Sequence, residues 1–449
     1  MSVDKETSSF TKNPEPKAST AAERKVLSDS LPGDLMLLPF LAIMLAPLCE
    51  FIRRYPNIND YADNYLPLVV CFLAFAGTMG IGAICLRWRI HRGSNRKTVR
   101  ERNVPMLFFC FTFAMMLLST MVNGVTSAVL YGDAYRRESL YSFAAYFFFL
   151  FLCATFIQSE SKKAWLLGAY LFSSLILAAR ELIAYMMTPA ELTKSYLQVV
   201  TSVFEQFNHY GYYLAMAILI SSVLVRSSKK ILRYLAVASF LANSAVLVIN
   251  DTFGAFLGCL LGLIFSIIVC SICNRKLDRT AIGMLVLFIL TALLADLRGR
   301  TLLRNFSQLF VDVEKIASGA EDANRAGTSR WGIVTATVRY ISERPLLGFG
   351  LEGIGKRLTS DAGMDRPHCE YLQYAAFFGI PAAISYVLGV FHVFLNGLKH
   401  RYALDLYTKA ALVAAFGYLV SAAFGNTMYY TAPYLFILLG LGYQTNQSI

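Results

Sequence analysis

Along the chain, apolar residues come in unbroken blocks rather than in amphipathic stripes. The blocks are roughly 18 to 25 residues long, the length an α-helix needs to cross a hydrocarbon core of about 30 Å. They fall near 35–52, 65–86, 105–129, 141–158, 165–187, 207–225, 234–250, 253–273, 280–297, 371–395, 408–425 and 427–443. The pattern predicts an all-α polytopic membrane protein with about twelve transmembrane helices. An outer-membrane barrel is excluded, because its strands would alternate apolar and polar residues over about ten positions. Composition agrees: 56% of the 449 residues are apolar and 16% charged, against about 25% charged in soluble chains. An ordinary water-soluble enzyme is excluded with it.

Two stretches depart from the blocks. Residues 1–33 are rich in Lys, Ser, Thr, Glu and Pro and contain no apolar core, so they read as a disordered cytoplasmic tail rather than a signal peptide. Residues 298–370 separate the ninth and tenth spans. Loops longer than about 15 residues are usually functional or disordered, and this one carries helical patterning, glycine turns and aromatic residues. It reads as a folded subdomain between spans one to nine (34–297) and spans ten to twelve (371–449).

The formal net charge of +12 suggests nucleic acid until its placement is considered. Arg226, Lys229, Lys230 and Arg233, then Arg275, Lys276 and Arg279, then Lys399, Arg401 and Lys409 share one side with the basic tail, the 87–102 loop, Lys162 and Lys163. The short loops of the other side hold Arg53, Arg54, Arg136, Arg137 and Lys194. By the positive-inside rule both termini are cytoplasmic and the long loop is external. The charge is topological, and no nucleic-acid partner is implied. The long loop escapes that rule, so its arginines, among them Arg304, Arg325, Arg330, Arg339 and Arg366, need another explanation.

The nine cysteines lie mostly in or at the ends of spans and behave as small hydrophobes; Cys270 and Cys273 have the C-x-x-C spacing but no second ligand pair. Of the five histidines, only His209 and His368 reach the loop side. His368 follows Arg366-Pro367 at the entry to the tenth span, which places it beside a helix N-terminus. Arg330 opens an amphipathic helix with Ile333, Val334, Val338 and Ile341 on one face and Thr328 or Ser329 as cap, and a helix N-terminus with an arginine suits an anion. Phe207-Asn208-His209-Tyr210 at the entry of the sixth span suits a headgroup belt or a sugar-binding lip. Arg180-Glu181, inside the fifth span, marks a polar cavity or a structural ion pair. Arg136 and Arg137 precede the fourth span.

Four of these pieces together resemble the O-antigen ligase and polysaccharide polymerase superfamily. They are Ser329-Arg330-Trp331, Pro345-Leu346-Leu347-Gly348-x-Gly350, His368-x-Glu370-Tyr371-Leu372-Gln373 and Gly379-Ile380-Pro381. Asn208 resembles that family's earlier Asn-rich span entry. The resemblance implies a C-type glycosyltransferase fold in a bacterial inner membrane, needing no metal or other cofactor. Its donor would be an undecaprenyl-diphosphate-linked glycan and its acceptor a glycan or glycolipid, with membrane lipids around both. The family's essential histidine carries over to His368 and its loop arginine to Arg330. Two departures stand out. Cys369 replaces the usual Asn after the histidine, and Asn250-Asp251-Thr252-Phe253-Gly254 replaces a Ser-Arg-Gly run. A second phosphate-binding arginine is therefore open among Arg136, Arg180 and Arg366, with Asn208, His209 and Glu370 as further substrate contacts.

The chemistry fits these residue types. Breaking a sugar–diphosphate bond builds negative charge on the leaving group, which an arginine fork matches, and a histidine with an unperturbed pKa of about 6.5 can take the acceptor's proton near neutral pH. Two other readings compete. Asp60 and Asp63 in the first external loop would suit a metal-dependent transferase, and a lipid-glycan flippase would share the topology without the chemistry. Transporters often show two related halves with charged, broken spans at mid-membrane; no such repeat is visible here.

Overall fold

Every apolar block is helical over most of its described residues, and no described residue lies in a strand. The computed structural model describes residues 21–52, 75–86, 104–132, 138–188, 204, 206–299, 301–320, 323–327, 329–351, 353–429 and 431–443. The expectations placed on residues 1–20, on Asp60 and Asp63, on the 87–102 loop, on Arg53, Arg54, Arg136, Arg137 and Lys194, and on Thr328 lie outside these.

In chain order, α1 is Ala21–Leu45, followed by a 3-10 turn at Ala46–Ile52; α2 is Phe75–Leu86, α3 Val104–Asn123, α4 Ser127–Tyr131 and α5 Leu140–Phe156. Then come α6 (Glu160–Met187), α7 (Phe207–Leu224), α8 (Lys230–Ile249), α9 (Phe253–Asn274) and α10 (Arg279–Gly299). The long loop contributes α11 (Thr301–Ser318), α12 (Arg330–Glu343) and α13 (Gly355–Ala362). The chain closes with α14 (Glu370–Phe378), α15 (Ile380–Lys399), α16 (Leu406–Ala422) and α17 (Ala432–Gly442). Among the described residues, seven helices are long and apolar enough to cross a membrane: α1 from Pro32 onward, α3, α6, α8, α9, α10 and α15. The protein is an all-α polytopic membrane protein. α1 begins at Ala21, inside the stretch expected as a tail.

Local chemistry sets the ends. Ser139 caps α5 by accepting the Ser142 N–H, and Asp405 caps α16 by accepting the Thr408 N–H at 2.8 Å. α7 and α17 form the centre, buried along nearly their whole lengths. Around them α3, α8, α9, α10 and α15 expose Met121, Ile231, Ile268, Leu294 and Phe391. In water such a surface would be a liability; in a bilayer it is the lipid-facing wall. At the end away from the loop, Arg226 pairs with Asp278 at 2.7 Å and Lys163 with Asp405 at 2.9 Å.

The tenth span departs from expectation. The block 371–395 is two helices, α14 and α15, broken at Gly379. The segment leading into α14 is tied to the α16–α17 turn through His368 and Asn426, and the last turn of α14 lies by the end of α3, where Ser119 Oγ donates to the Phe377 carbonyl at 2.9 Å. Both ends of α14 therefore sit at the loop end of the bundle, and α15 alone crosses. The break strands the last carbonyls of α14, and the turn after α12 satisfies them. Phe349 N–H donates to Ala376 O at 2.9 Å and Gly350 N–H to Phe377 O at 2.8 Å, while Ile380 N–H returns to Pro345 O at 2.8 Å.

The glycines make this interlock possible. Gly348 (φ +61°) and Gly379 (φ +92°) are left-handed, and a Cβ would stand 2.5 Å from the Phe377 backbone at the first and 2.0 Å from Leu346 O at the second. The Pro-Leu-Leu-Gly-x-Gly and Gly-Ile-Pro pieces are thus one joint. Gly348→Ala is expected to destabilise by more than the roughly 1–2 kcal/mol of left-handed strain alone, since the clash adds to it. A thermal melt of the purified protein checks this.

Candidate functional site

The loop-end surface is assembled from α14, the α12 start, the α7 entry and the α16–α17 turn. His368 immediately precedes Cys369, the cap residue of α14. Its backbone is left-handed (φ +50°), and its N–H donates to Asn426 Oδ1 at 2.9 Å. Such a conformation costs a non-glycine residue about 1–2 kcal/mol and persists only where its surroundings impose it. The described residues include four non-glycine positions with positive φ: Asp251, Arg275, Ser329 and His368. Ser329 caps α12 directly before Arg330, without a side-chain cap hydrogen bond. Both residues singled out by sequence therefore follow from, or sit at, a forced backbone turn.

Beneath His368 lies a buried polar cluster. Arg366 is 3% exposed, and its Nε donates to Glu138 Oε2 at 3.0 Å. Its Nη1 donates to the Asp365 carbonyl, and its guanidinium lies 5.3 Å from the Phe377 ring centroid. The other Glu138 oxygen accepts Gln373 Nε2 at 2.9 Å, and Gln373 Oε1 accepts the Thr427 N–H at 3.0 Å. The start of α5, the segment before His368, α14 and the α16–α17 turn are tied together through one carboxylate. Removing one partner of a buried pair leaves the other uncompensated, at about 3–5 kcal/mol. Glu138→Ala and Arg366→Ala are each expected to lose stability on that scale. The double change Glu138→Gln with Arg366→Met should recover part of it in the same melt.

Glu370 is equally buried. It accepts the Tyr386 hydroxyl at 2.5 Å and the Tyr418 hydroxyl at 3.3 Å, and burial pushes its carboxyl up to about 7 against those bonds. Burial also raises the neighbouring Cys369 thiol. Both stand within electrostatic reach of the Tyr212 hydroxyl on α7, and so does the Arg330 guanidinium. The α12 start and the α14 start, forty residues apart in sequence, belong to helices that pack against each other. The Tyr212 hydroxyl donates to the Phe424 carbonyl at 3.0 Å.

The rest of the loop is braced against the bundle. Arg344 Nη1 donates to Asn123 Oδ1 at 2.7 Å, and Arg344 and Arg357 both stand over the Phe349 ring. Asp361 of α13 accepts from Arg339 and Tyr340 of α12, and the Tyr340 hydroxyl with Arg339 holds its carboxyl below the usual range. The inward face of α12 is Ile333, Thr337, Tyr340 and Ile341, with Val338 outward. The Thr337 hydroxyl satisfies itself on the Ile333 carbonyl at 2.7 Å, which makes it compatible with burial.

The remaining expected site residues scatter. Asn208 is half-buried in the first turn of α7. His209 turns inward, 2% exposed, with Nδ1 3.1 Å from Thr431 Oγ1, so the sugar-lip expectation does not fit its position. Arg180 stands 3.6 Å from Glu181 on α6, with the carboxylate buried, which matches the ion-pair alternative. Arg366 is 3% exposed, with its Nε bonded to Glu138. The Asn250–Gly254 turn packs beside α7, where Thr252 Oγ1 donates to Asn250 Oδ1 at 2.6 Å, and Asp251 accepts from Asn305 at 2.7 Å. Among the described residues no three His, Cys, Asp or Glu side chains gather in a metal-binding group. Glu138, Gln373, Asn426, Thr427 and Tyr212 were not singled out by the sequence. The polar turn at 425–427, on the same side as the long loop, was the available signal for two of them.

A cavity of about 910 Å³ opens toward the lipid-facing side between α9, α15 and α16. Its walls include Leu261, Phe265, Phe391 and Phe416, it reaches Arg401 at one end, and Tyr371 and Phe424 bring its other end up to the His368 segment.

Fold and site together define a polytopic membrane protein whose polar centre is built from a long loop and the helix that follows it. Residues 236–387 match the O-antigen ligase family, a stretch that runs from α8 into α15 and contains Arg330, Arg366, His368 and Glu370. The match supports the resemblance to the O-antigen ligase and polysaccharide polymerase superfamily that the motifs carry. No curated protein matches it.

Proposed function

We propose that this protein moves an undecaprenyl-diphosphate-linked glycan onto an acceptor glycan or glycolipid, as a ligase or a polymerase, at the outer face of the bacterial inner membrane. The observation that carries the reading is the packing of α12, which Arg330 opens, against α14, which His368 leads into. The family match supports a glycan transferase at the coarse level. The topology that goes with it has both termini cytoplasmic and the loop end outside.

In this reading the acceptor hydroxyl oxygen attacks the donor's anomeric carbon and gives its proton to His368. The bond from that carbon to the diphosphate oxygen breaks, and the lipid diphosphate leaves with the electron pair. Arg330 receives the developing charge in a fork. The forced backbone at His368 fixes where its ring stands, and Glu138 with Arg366 holds that backbone from below, a positioning part rather than a phosphate contact. The apolar cavity ending at Tyr371 suits the donor's isoprenoid tail.

No divalent cation has a part in this scheme, so transfer is expected to persist in excess chelator, read as labelled glycan on the acceptor. Proteoliposomes carrying lipid-linked glycan separate the transferase from a flippase. The transferase consumes donor only when acceptor is present; a flippase moves donor between leaflets and leaves its glycosidic bond intact.

A further inference from the structure

The long loop opens with a helix the chemistry above does not use. α11 starts anew rather than prolonging α10: the Leu302 N–H donates to the Asp296 carboxylate at 2.9 Å. It also folds back. Asp296, Arg304 and Asn305 all gather at Asp251, and the Phe306 ring packs 5.2 Å from Phe253 and 6.1 Å from Phe256 in the first turn of α9. The first half of α11 therefore sits at the level of the helix ends, where a bilayer surface would lie.

Its apolar residues Leu302, Phe306, Leu309, Phe310, Val313 and Ile316 recur at helical spacing along one stripe. The first two pack on the bundle. Leu309, Phe310 and Val313 are then exposed, at 41%, 73% and 56%. α10, which leads into α11, also ends in outward leucines, Leu294 and Leu297, 69% and 72% exposed. On the other side of α11, Gln308 bonds Asp312, and Asp312 accepts the Gly327 N–H at 2.9 Å.

We infer that α11 is an interfacial helix whose partner is the lipid surface of the leaflet at the loop end, with Leu309, Phe310 and Val313 in the acyl boundary. A large apolar–polar asymmetry with low net hydrophobicity is what such helices carry. Its charges balance, Arg304 and Lys315 against Asp312 and Glu314, so apolar burial holds it and anionic lipid is not required. The seating is independent of the proposed reaction. If that reaction is right, the Asp312–Gly327 bond makes the bilayer surface the reference height for Arg330, three residues on.

The test places tryptophan at single positions in the full chain, Phe310→Trp and Val313→Trp on the stripe, Gln308→Trp and Glu314→Trp opposite. Each is reconstituted in vesicles of zwitterionic lipid brominated near the top of the acyl chain. The inference expects blue-shifted added emission at 310 and 313, quenched by bromolipid and shielded from acrylamide, with the reverse at 308 and 314. Acrylamide quenching at 310 and 313 overturns it. So does shielding from both quenchers, which would mean that protein covers the stripe.

Discussion

Replacing His368 is expected to remove transfer and spare the fold. A positioned general base contributes roughly 10²–10⁴-fold to a rate, and kcat is expected to fall on that scale. The choice of replacement matters because His368 is left-handed (φ +50°). Alanine adds strain where histidine already carries some, whereas asparagine tolerates that region well and has no proton-accepting group in the useful range. His368→Asn is therefore the sharper variant: it should melt near the unchanged protein, retain the lipid-linked donor, and fail to pass the glycan on. Steady-state kinetics with varied acceptor, alongside a melt, read all three. A variant that transfers at the original rate removes His368 from the chemistry.

Arg330 is expected to give the second large loss. Removing one preorganised group from a developing charge costs about 10²–10³ in rate, and Arg330→Ala should lose that much. Arg330→Lys keeps the charge but not the planar fork, and should fall between. Arg330 is half-exposed at the start of α12, so neither change should move the melting midpoint far. Arg366 makes the opposite case: 3% exposed and bonded to Glu138, its loss is felt first in stability. Comparing the two arginines by kinetics and by melt separates a group that acts on substrate from one that holds the scaffold.

The spans were legible because lipid imposes one rule, an apolar block long enough to cross, and that rule is local in sequence. The break at Gly379 was not, since Tyr371–Leu395 reads as one block. What decides it is the Leu346–Gly350 turn, which fills the stranded carbonyls of α14 from thirty residues away. The start of α12 was legible from its glycine and polar lead-in, but not its inward face, where Thr337 replaces Val338 by bonding its own helix. For the candidate site, His368 and Arg330 were singled out through the resemblance, because they sit in ordered short motifs. Glu138, Gln373 and Asn426 sit in no motif, and their contacts join positions more than fifty residues apart. The same distance hid the Glu138 partner of Arg366, which from sequence is one of three candidates for a second phosphate-binding arginine. His209 shows the converse. Its side was read correctly, but not the inward turn onto Thr431.

The central claim is that an imidazole and a guanidinium serve one transfer. Purified protein in proteoliposomes, given a defined lipid-diphosphate oligosaccharide and an acceptor in a single-turnover experiment, tests it most directly through two products counted together. The account expects labelled acceptor and free lipid diphosphate to appear in equal amounts with the unchanged protein, and neither to appear at a comparable rate with His368→Asn or Arg330→Ala. Undiminished formation of both products by either variant would contradict it.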